Sequence, residues 1–199
     1  TELNYEPYSS NRINGIYSQN NSSDAEIIIL YNDYGIGILS GGINKNVIPN
    51  TPQSNIFANM DVDKKGRLWV ATSTKVAHDG MGFTMLDDEG KWNNFTNKSY
   101  NLINNNCIKI NSLSDGRVYV GTWGGGLLEL KENSGQFEVS RYDTSNSPLT
   151  GATTKDLGYV IAGETLEDNN GKLWIINYGE GPTGPLLVSM DNSGNFLTY

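Results

Sequence analysis

One stretch of sequence recurs four times, and this repetition limits the fold more than any other feature of the chain. DGRVYVGTWGGGLLEL at 115–130 aligns without a gap on DAEIIILYNDYGIGIL at 24–39, and KKGRLWVAT at 64–72 matches NNGKLWIIN at 169–177. The turn positions Ala25, Gly66, Gly116 and Gly171 stand 41, 50 and 55 residues apart. Each interval suits one four-stranded blade. The pattern therefore predicts an all-β fold, a β-propeller of about four blades of four antiparallel strands, with units at 9–50, 51–98, 99–145 and 146–199.

The third unit shows the expected strands A to D: CIKINSL at 107–113, GRVYVGT at 116–122, GLLELK at 126–131 and QFEVSRY at 136–142. Their β-branched and aromatic content suits pleated, half-buried strands, and no segment sustains a 3.6-residue apolar period. Six hairpin turns punctuate the units: DKKG, LSDG and DNNG between A and B, and DDEG, ENSG and DNSG between C and D. A terminal Gly in each is expected to take the positive φ of a type I turn closed by a G1 bulge. DVDKKG at 61–66 opens like a calcium loop, but Lys65 stands where an oxygen ligand is needed and no Glu occupies the twelfth position. An ordinary turn is expected there, with no metal and no cofactor.

Charge and hydropathy exclude several classes of function. The 199 residues hold 14 Lys and Arg against 22 Asp and Glu, a net charge of −8, which repels phosphate backbones and argues against nucleic acid. The longest apolar runs, such as EIIILY at 26–31, fall far short of the about 20 residues that span a bilayer, so no direct membrane insertion is expected. Cys107 is the single cysteine and leaves the redox compartment open; at the start of an inner strand it reads as a small buried side chain. The first residue, Thr1, suggests a processed or excised chain.

GRLWVAT and DGRVYVGTWGGGLLEL resemble the two-component regulator propeller repeats of bacterial surface and sensor proteins. Those repeats read as Asp, spacer, Gly, apolar, Trp, apolar, Gly, Thr, then Gly-Gly-Leu. The third unit fits best, with Tyr119 in place of Trp; the second keeps Trp69 and Thr72, the fourth keeps Trp174 but has Asn177 for Thr, and the first is most degenerate. Trp69, Tyr119 and Trp174 are expected in the core. The resemblance implies a wheel of seven or eight blades, which needs about 300 residues or more. The chain is thus expected to be a section of a larger wheel, with ELNYEPY at 2–8 the outer strand of a preceding blade and the remaining blades supplied by the same or another chain; the alternative is a closed four-bladed domain.

Loop lengths point to a binding face. Between paired turn glycines lie 23 residues in the second unit, 18 in the third and 22 in the fourth, and the excess falls in the B to C loops at 73–80 and 178–184. Insertions gathered on one face of a repeat protein mark its binding surface. That face would carry Tyr34, His78, Trp123 and Tyr178 beside Asp33, Asp79 and Glu180. Aromatic rings beside carboxylates suit a sugar or peptide, because the ring covers an apolar face while the acid accepts hydrogen bonds.

No catalytic residues are expected. His78 is the only histidine, and neither a nucleophile triad nor a G-x-S-x-G elbow is present. The leading reading is a non-enzymatic binding or scaffold propeller, periplasmic or at the cell surface of a bacterium, with a protein or carbohydrate partner. Its fourth unit and the SPL at 147–149 look similar to PorZ-type propellers of the type IX secretion system. One alternative is the oligosaccharide-sensing periplasmic propeller of a hybrid two-component kinase; another is a propeller lyase or hydrolase using His78 as a general base.

Overall fold

The computed structural model describes residues 13–18, 26–31, 36–47, 50–73, 80–100, 102–179 and 184–199. All sixteen regular elements among them are strands. Contacts divide the chain into two units, Thr1–Asn50 and Thr51–Tyr199.

In the first unit, β1 (Ile13–Ser18), β2 (Ile27–Tyr31), β3 (Ile36–Ser40) and β4 (Ile43–Val47) form one antiparallel meander. β2 and β3 begin nine residues apart, as do their counterparts in the third repeat, so the gapless alignment holds strand for strand. The Gly41–Gly42 turn that joins β3 to β4 has both residues at positive φ.

The second unit holds three such meanders: β5 (Asn59–Val62) to β8 (Trp92–Phe95), with β6 (Leu68–Ala71) and β7 (Phe83–Leu86) between; β9 (Cys107–Ser112), β10 (Val118–Gly124), β11 (Leu127–Asn133) and β12 (Gln136–Tyr142); and β13 (Val160–Glu167), β14 (Leu173–Tyr178), β15 (Leu187–Met190) and β16 (Phe196–Thr198). Their first strands stand side by side. β5 reaches β9 through Asn59 and Asp61, whose side chains accept the Ile110 and Ser112 N–H groups at 2.8 and 2.6 Å. β9 reaches β13 through Asn111 Nδ2, which donates to Thr165 O at 3.2 Å.

Two-residue periodicity then decides what lies between the sheets. Val118, Val120, Leu128 and Leu130 join Trp69, Phe83 and Phe95 of the second sheet in one buried cluster. Tyr119 and Leu127, one residue out of phase, join Leu173, Ile175, Val188 and Met190 of the fourth in another. A sheet buried on both faces must be apolar at consecutive positions, which is why Val118-Tyr119-Val120 does not alternate. Sheets packed face to face around their first strands are the architecture of a β-propeller, as the repeat predicts.

Three expectations need correction or refinement. Gly66, Gly90, Gly116, Gly171 and Gly194 have φ between 76° and 95°, as the turn chemistry requires, but at Glu132-Asn133-Ser134-Gly135 both Ser134 (φ 51°) and Gly135 (φ 80°) are left-handed. With Asn133 paired to Gln136, that loop is a two-residue turn of the I′ type and carries no bulge. Trp174 is only half-buried, whereas Trp69 and Tyr119 are fully buried. Its row across the fourth sheet is Leu166, Trp174, Ser189 and Leu197, and the ends of that row, Leu166 and Leu197, are 64% and 58% exposed. The residue type repeats, but the covering does not. Finally, the Asp of each Asp-x-x-Gly turn is more than a turn former: Asp63 Oδ1 accepts the Lys65 and Arg67 N–H groups, while Oδ2 accepts Arg67 Nε at 2.7 Å and Trp69 Nε1 at 2.9 Å. Burial alone would raise the Asp63 pKa, but these bonds outweigh it and hold the carboxyl below its ordinary value.

Candidate functional site

The B to C connections of the second unit gather at one end. Ser73 N, in the second sheet's connection, donates to Cys107 O at the start of β9, and Gly82 N donates to Asn105 O. The third sheet's connection repeats this one sheet along: Gly126 N donates to Val160 O at the start of β13, and Trp123 and Gly124 at the end of β10 pair with Ile161 and Val160. Connections between sheets therefore share this end with the B to C loops.

The motif threonine shapes each tight corner. Thr122 Oγ1 donates to Gly126 O at 2.6 Å and accepts Gly125 N at 2.9 Å; Thr72 does the same with Gly82 O and Met81 N. A hydroxyl is needed because it is both donor and acceptor. In the fourth sheet Asn177 takes over with a longer reach. Its Oδ1 accepts Thr150 N at 2.7 Å and its Nδ2 donates to Thr150 O and Ile161 O, tying the incoming segment to the strand.

These corners set up an aromatic cleft of about 330 Å³ lined by Trp123, Ala152, Thr153, Tyr159, Ile161 and Tyr178. Trp123 and Tyr178 face each other with ring centroids 6.3 Å apart at 45°. Tyr178 lies over β13 because Gly163 has no side chain; a Cβ there would come within 2.6 Å of the ring. Trp123 Nε1 and the Tyr159 hydroxyl make no hydrogen bond among the described residues. Burial and the nearby Asp156 raise the Tyr159 pKa, so its hydroxyl stays protonated as a donor. Apolar walls with a few unspent polar atoms are the usual make-up of a small-ligand site.

Of the residues singled out from sequence, Trp123 and Tyr178 are brought together here. Tyr34, His78, Asp79 and Glu180, with Asp33, lie outside the described residues. Tyr159, Thr153, Ala152 and Ile161 were missed; the inter-sheet connections enter at the same end as the B to C loops, so the aromatic Tyr159 just before a first strand was the available signal. Cys107 is fully buried and its pKa is pushed up by burial alone, which leaves an unreactive thiol. At the other end of the third sheet, buried Glu129 accepts from Tyr119 Oη at 2.5 Å, Tyr142 Oη at 3.1 Å and Arg117 Nη1 at 3.2 Å. Burial and that carboxylate raise Tyr142 to about 12.

No protein-family model matches the chain, and no curated protein matches it in sequence. Its structure is similar to PorZ, an essential bacterial surface component of the type IX secretion system of Porphyromonas gingivalis, with a TM-score of 0.69 and 22% identity over 94% of this chain and 26% of that one. It is also similar to the extracellular domain of the putative hybrid two-component system BT4673 from B. thetaiotaomicron, with a TM-score of 0.52 and 20% identity over 97% of this chain and 23% of that one. The chain spans about a quarter of the length of either protein. What is shared at these identities is the fold.

Proposed function

We propose that this chain is a non-enzymatic binding section of a larger propeller in an exported bacterial protein, periplasmic or at the cell surface, and that it holds a carbohydrate through the cleft of Trp123, Tyr159 and Tyr178. The observation that carries this reading is the meeting of the half-buried Trp123 ring and the exposed Tyr178 ring in one cleft with Tyr159, where Trp123 Nε1 and the Tyr159 hydroxyl have no hydrogen-bond partner among the described residues. A sugar ring offers an apolar face for stacking and hydroxyls for those donors. A peptide is the second partner class that such walls accommodate.

The fourth sheet supports the larger wheel. Its row Leu166–Trp174–Ser189–Leu197 corresponds in register to Asp61–Trp69–Met85–Asn93 and Asn111–Tyr119–Glu129–Ser140, whose central residues are buried by the following sheet. An apolar face at these positions is the face that receives another blade. The similarity to PorZ favours a surface accessory role; the similarity to the BT4673 domain favours a sensor. A membrane span and kinase following the propeller in the intact protein would establish the sensor, and a β-sandwich sorting domain the accessory.

The test is a glycan and peptide array probed with wild type and Trp123→Ala. The reading expects glycan signals that Trp123→Ala removes. Equal signals from both proteins would show that the cleft takes no part, and peptide-only signals would replace the sugar with a protein partner.

A further inference from the structure

The end of the sheets opposite the aromatic cleft carries the A to B turns. There the second and third sheets frame another cleft, of about 370 Å³. Lys64, Lys65, Arg67, Arg117 and Lys131 line it, five of the chain's 14 cations, against Asp63, Asp115 and Glu132. Such a concentration runs against a net charge of −8.

Both arginines are held in place with donors to spare. Arg67 gives Nε to Asp63 at 2.7 Å and Nη1 to Glu132 at 2.8 Å, and lies over the Trp69 and Phe137 rings at 5.6 and 5.4 Å. Arg117 gives Nε to Asp115 at 2.6 Å and Nη1 to Glu129 at 3.2 Å. Nη2 of each makes no hydrogen bond among the described residues, and neither does Lys64. A guanidinium already fixed by other bonds loses little freedom when it takes an anion.

The repeat supplies an internal comparison. Lys64 corresponds to Ser114, whose N–H and hydroxyl both donate to Glu167 at 2.7 Å. The residue corresponding to Glu167 one sheet earlier is Ser112, whose buried hydroxyl has no partner among the described residues. A carboxylate from the next sheet thus closes the third sheet's turn, whereas at the second sheet's turn the acid is missing and a lysine stands in the serine's place, against Gly116.

We propose that this cleft binds one anionic group of a ligand, a carboxylate or a tetrahedral oxyanion, at Lys64 and the outer guanidinium nitrogens of Arg67 and Arg117. Charge-assisted hydrogen bonds to a forked guanidinium suit either anion. The site lies apart from the aromatic cleft and does not depend on what that cleft binds.

Backbone amide NMR of the full chain, titrated separately with sodium sulfate, phosphate and glucuronate at constant ionic strength against chloride, tests it. Saturable shifts are expected at Lys64, Gly116 and Arg117, at least tenfold weaker in apparent affinity for Lys64→Glu. Lys64 makes no bond that folding would miss, and an otherwise unchanged spectrum verifies the fold. Saturation by sulfate or phosphate identifies a tetrahedral oxyanion, and saturation by glucuronate a carboxylate. No saturation by any of the three, or equal saturation in Lys64→Glu, overturns the proposal.

Discussion

Replacing Asp63 with Ala should be among the most damaging single changes in the second unit, and the damage should depend on pH. The Asp63 side chain is 2% exposed and accepts four hydrogen bonds, from two backbone N–H groups, Arg67 Nε and Trp69 Nε1. Without it the indole N–H of fully buried Trp69 is stranded, which costs about 1–3 kcal/mol. Arg67 also loses one of its two carboxylates, and breaking a buried pair brings the expected total to about 3–5 kcal/mol. Asp168 is the natural control, since it accepts Asn170 N, Lys172 N and Trp174 Nε1 in the same geometry. Trp174 and Lys172 are only half-buried, so water replaces the lost acceptor and Asp168→Ala should cost much less than Asp63→Ala. At about 2–4 °C per kcal/mol for a unit of this size, melting followed by circular dichroism should fall by about 6–20 °C for Asp63→Ala and by distinctly less for Asp168→Ala. The Asp63 pKa is lowered in the fold. Its stabilisation is therefore complete above the unfolded carboxyl value of about 3.9 and fades as pH falls through the lower folded value. The gap between wild type and Asp63→Ala should be constant from pH 7 to 5 and shrink below about pH 4. Equal losses for the two variants, or a gap that widens in acid, would refute the reasoning.

The other expectations follow from burial and bonding at single residues. Trp69→Ala should cost about 3–5 kcal/mol in chemical denaturation, because the ring is fully enclosed, and Trp174→Ala about half of that, because its ring is partly in water already. Thr122→Val keeps the shape but strands Gly125 N and Gly126 O, so a loss of about 1–3 kcal/mol should accompany weaker ligand capture through the displaced Trp123 corner. For a non-enzymatic protein, captured glycan should be recovered chemically unchanged by mass spectrometry from wild type and from His78→Ala alike; a product that forms with wild type and stops with His78→Ala would establish the lyase or hydrolase alternative.

The strands were legible because each repeat restates the same local physics: a Gly that tolerates positive φ at 66, 116 and 171, followed by an apolar strand. The corner was half legible. Unequal loop lengths pointed to the B to C end, and two of its aromatics, Trp123 and Tyr178, do meet there. Tyr159 offered only its place just before a first strand as a signal, because it joins them through the pairing of β10 with β13, a contact between repeats that no single repeat encodes. Trp174 misled for a related reason: its strand has the wording of Trp69's strand, yet burial depends on what covers the sheet. Asp63 was weighed as a calcium ligand or turn former, whereas the spacing Asp-x-x-Gly-Arg-x-Trp places a backbone donor at the fourth residue on and an indole donor at the sixth. Glu129 was not singled out, because a buried acid in an apolar strand is accounted for by the convergence of Tyr119, Tyr142, Arg117 and Lys131 on it, which only the fold brings about.

Hydrogen-exchange mass spectrometry of the chain with and without a ligand recovered from the array bears most directly on where binding occurs. Slowed exchange confined to peptides containing Trp123, Tyr159–Ile161 and Tyr178 is the predicted footprint. Slowed exchange on the fourth sheet's exposed row, around Leu166 and Leu197, with none at the aromatic cleft, would contradict the account.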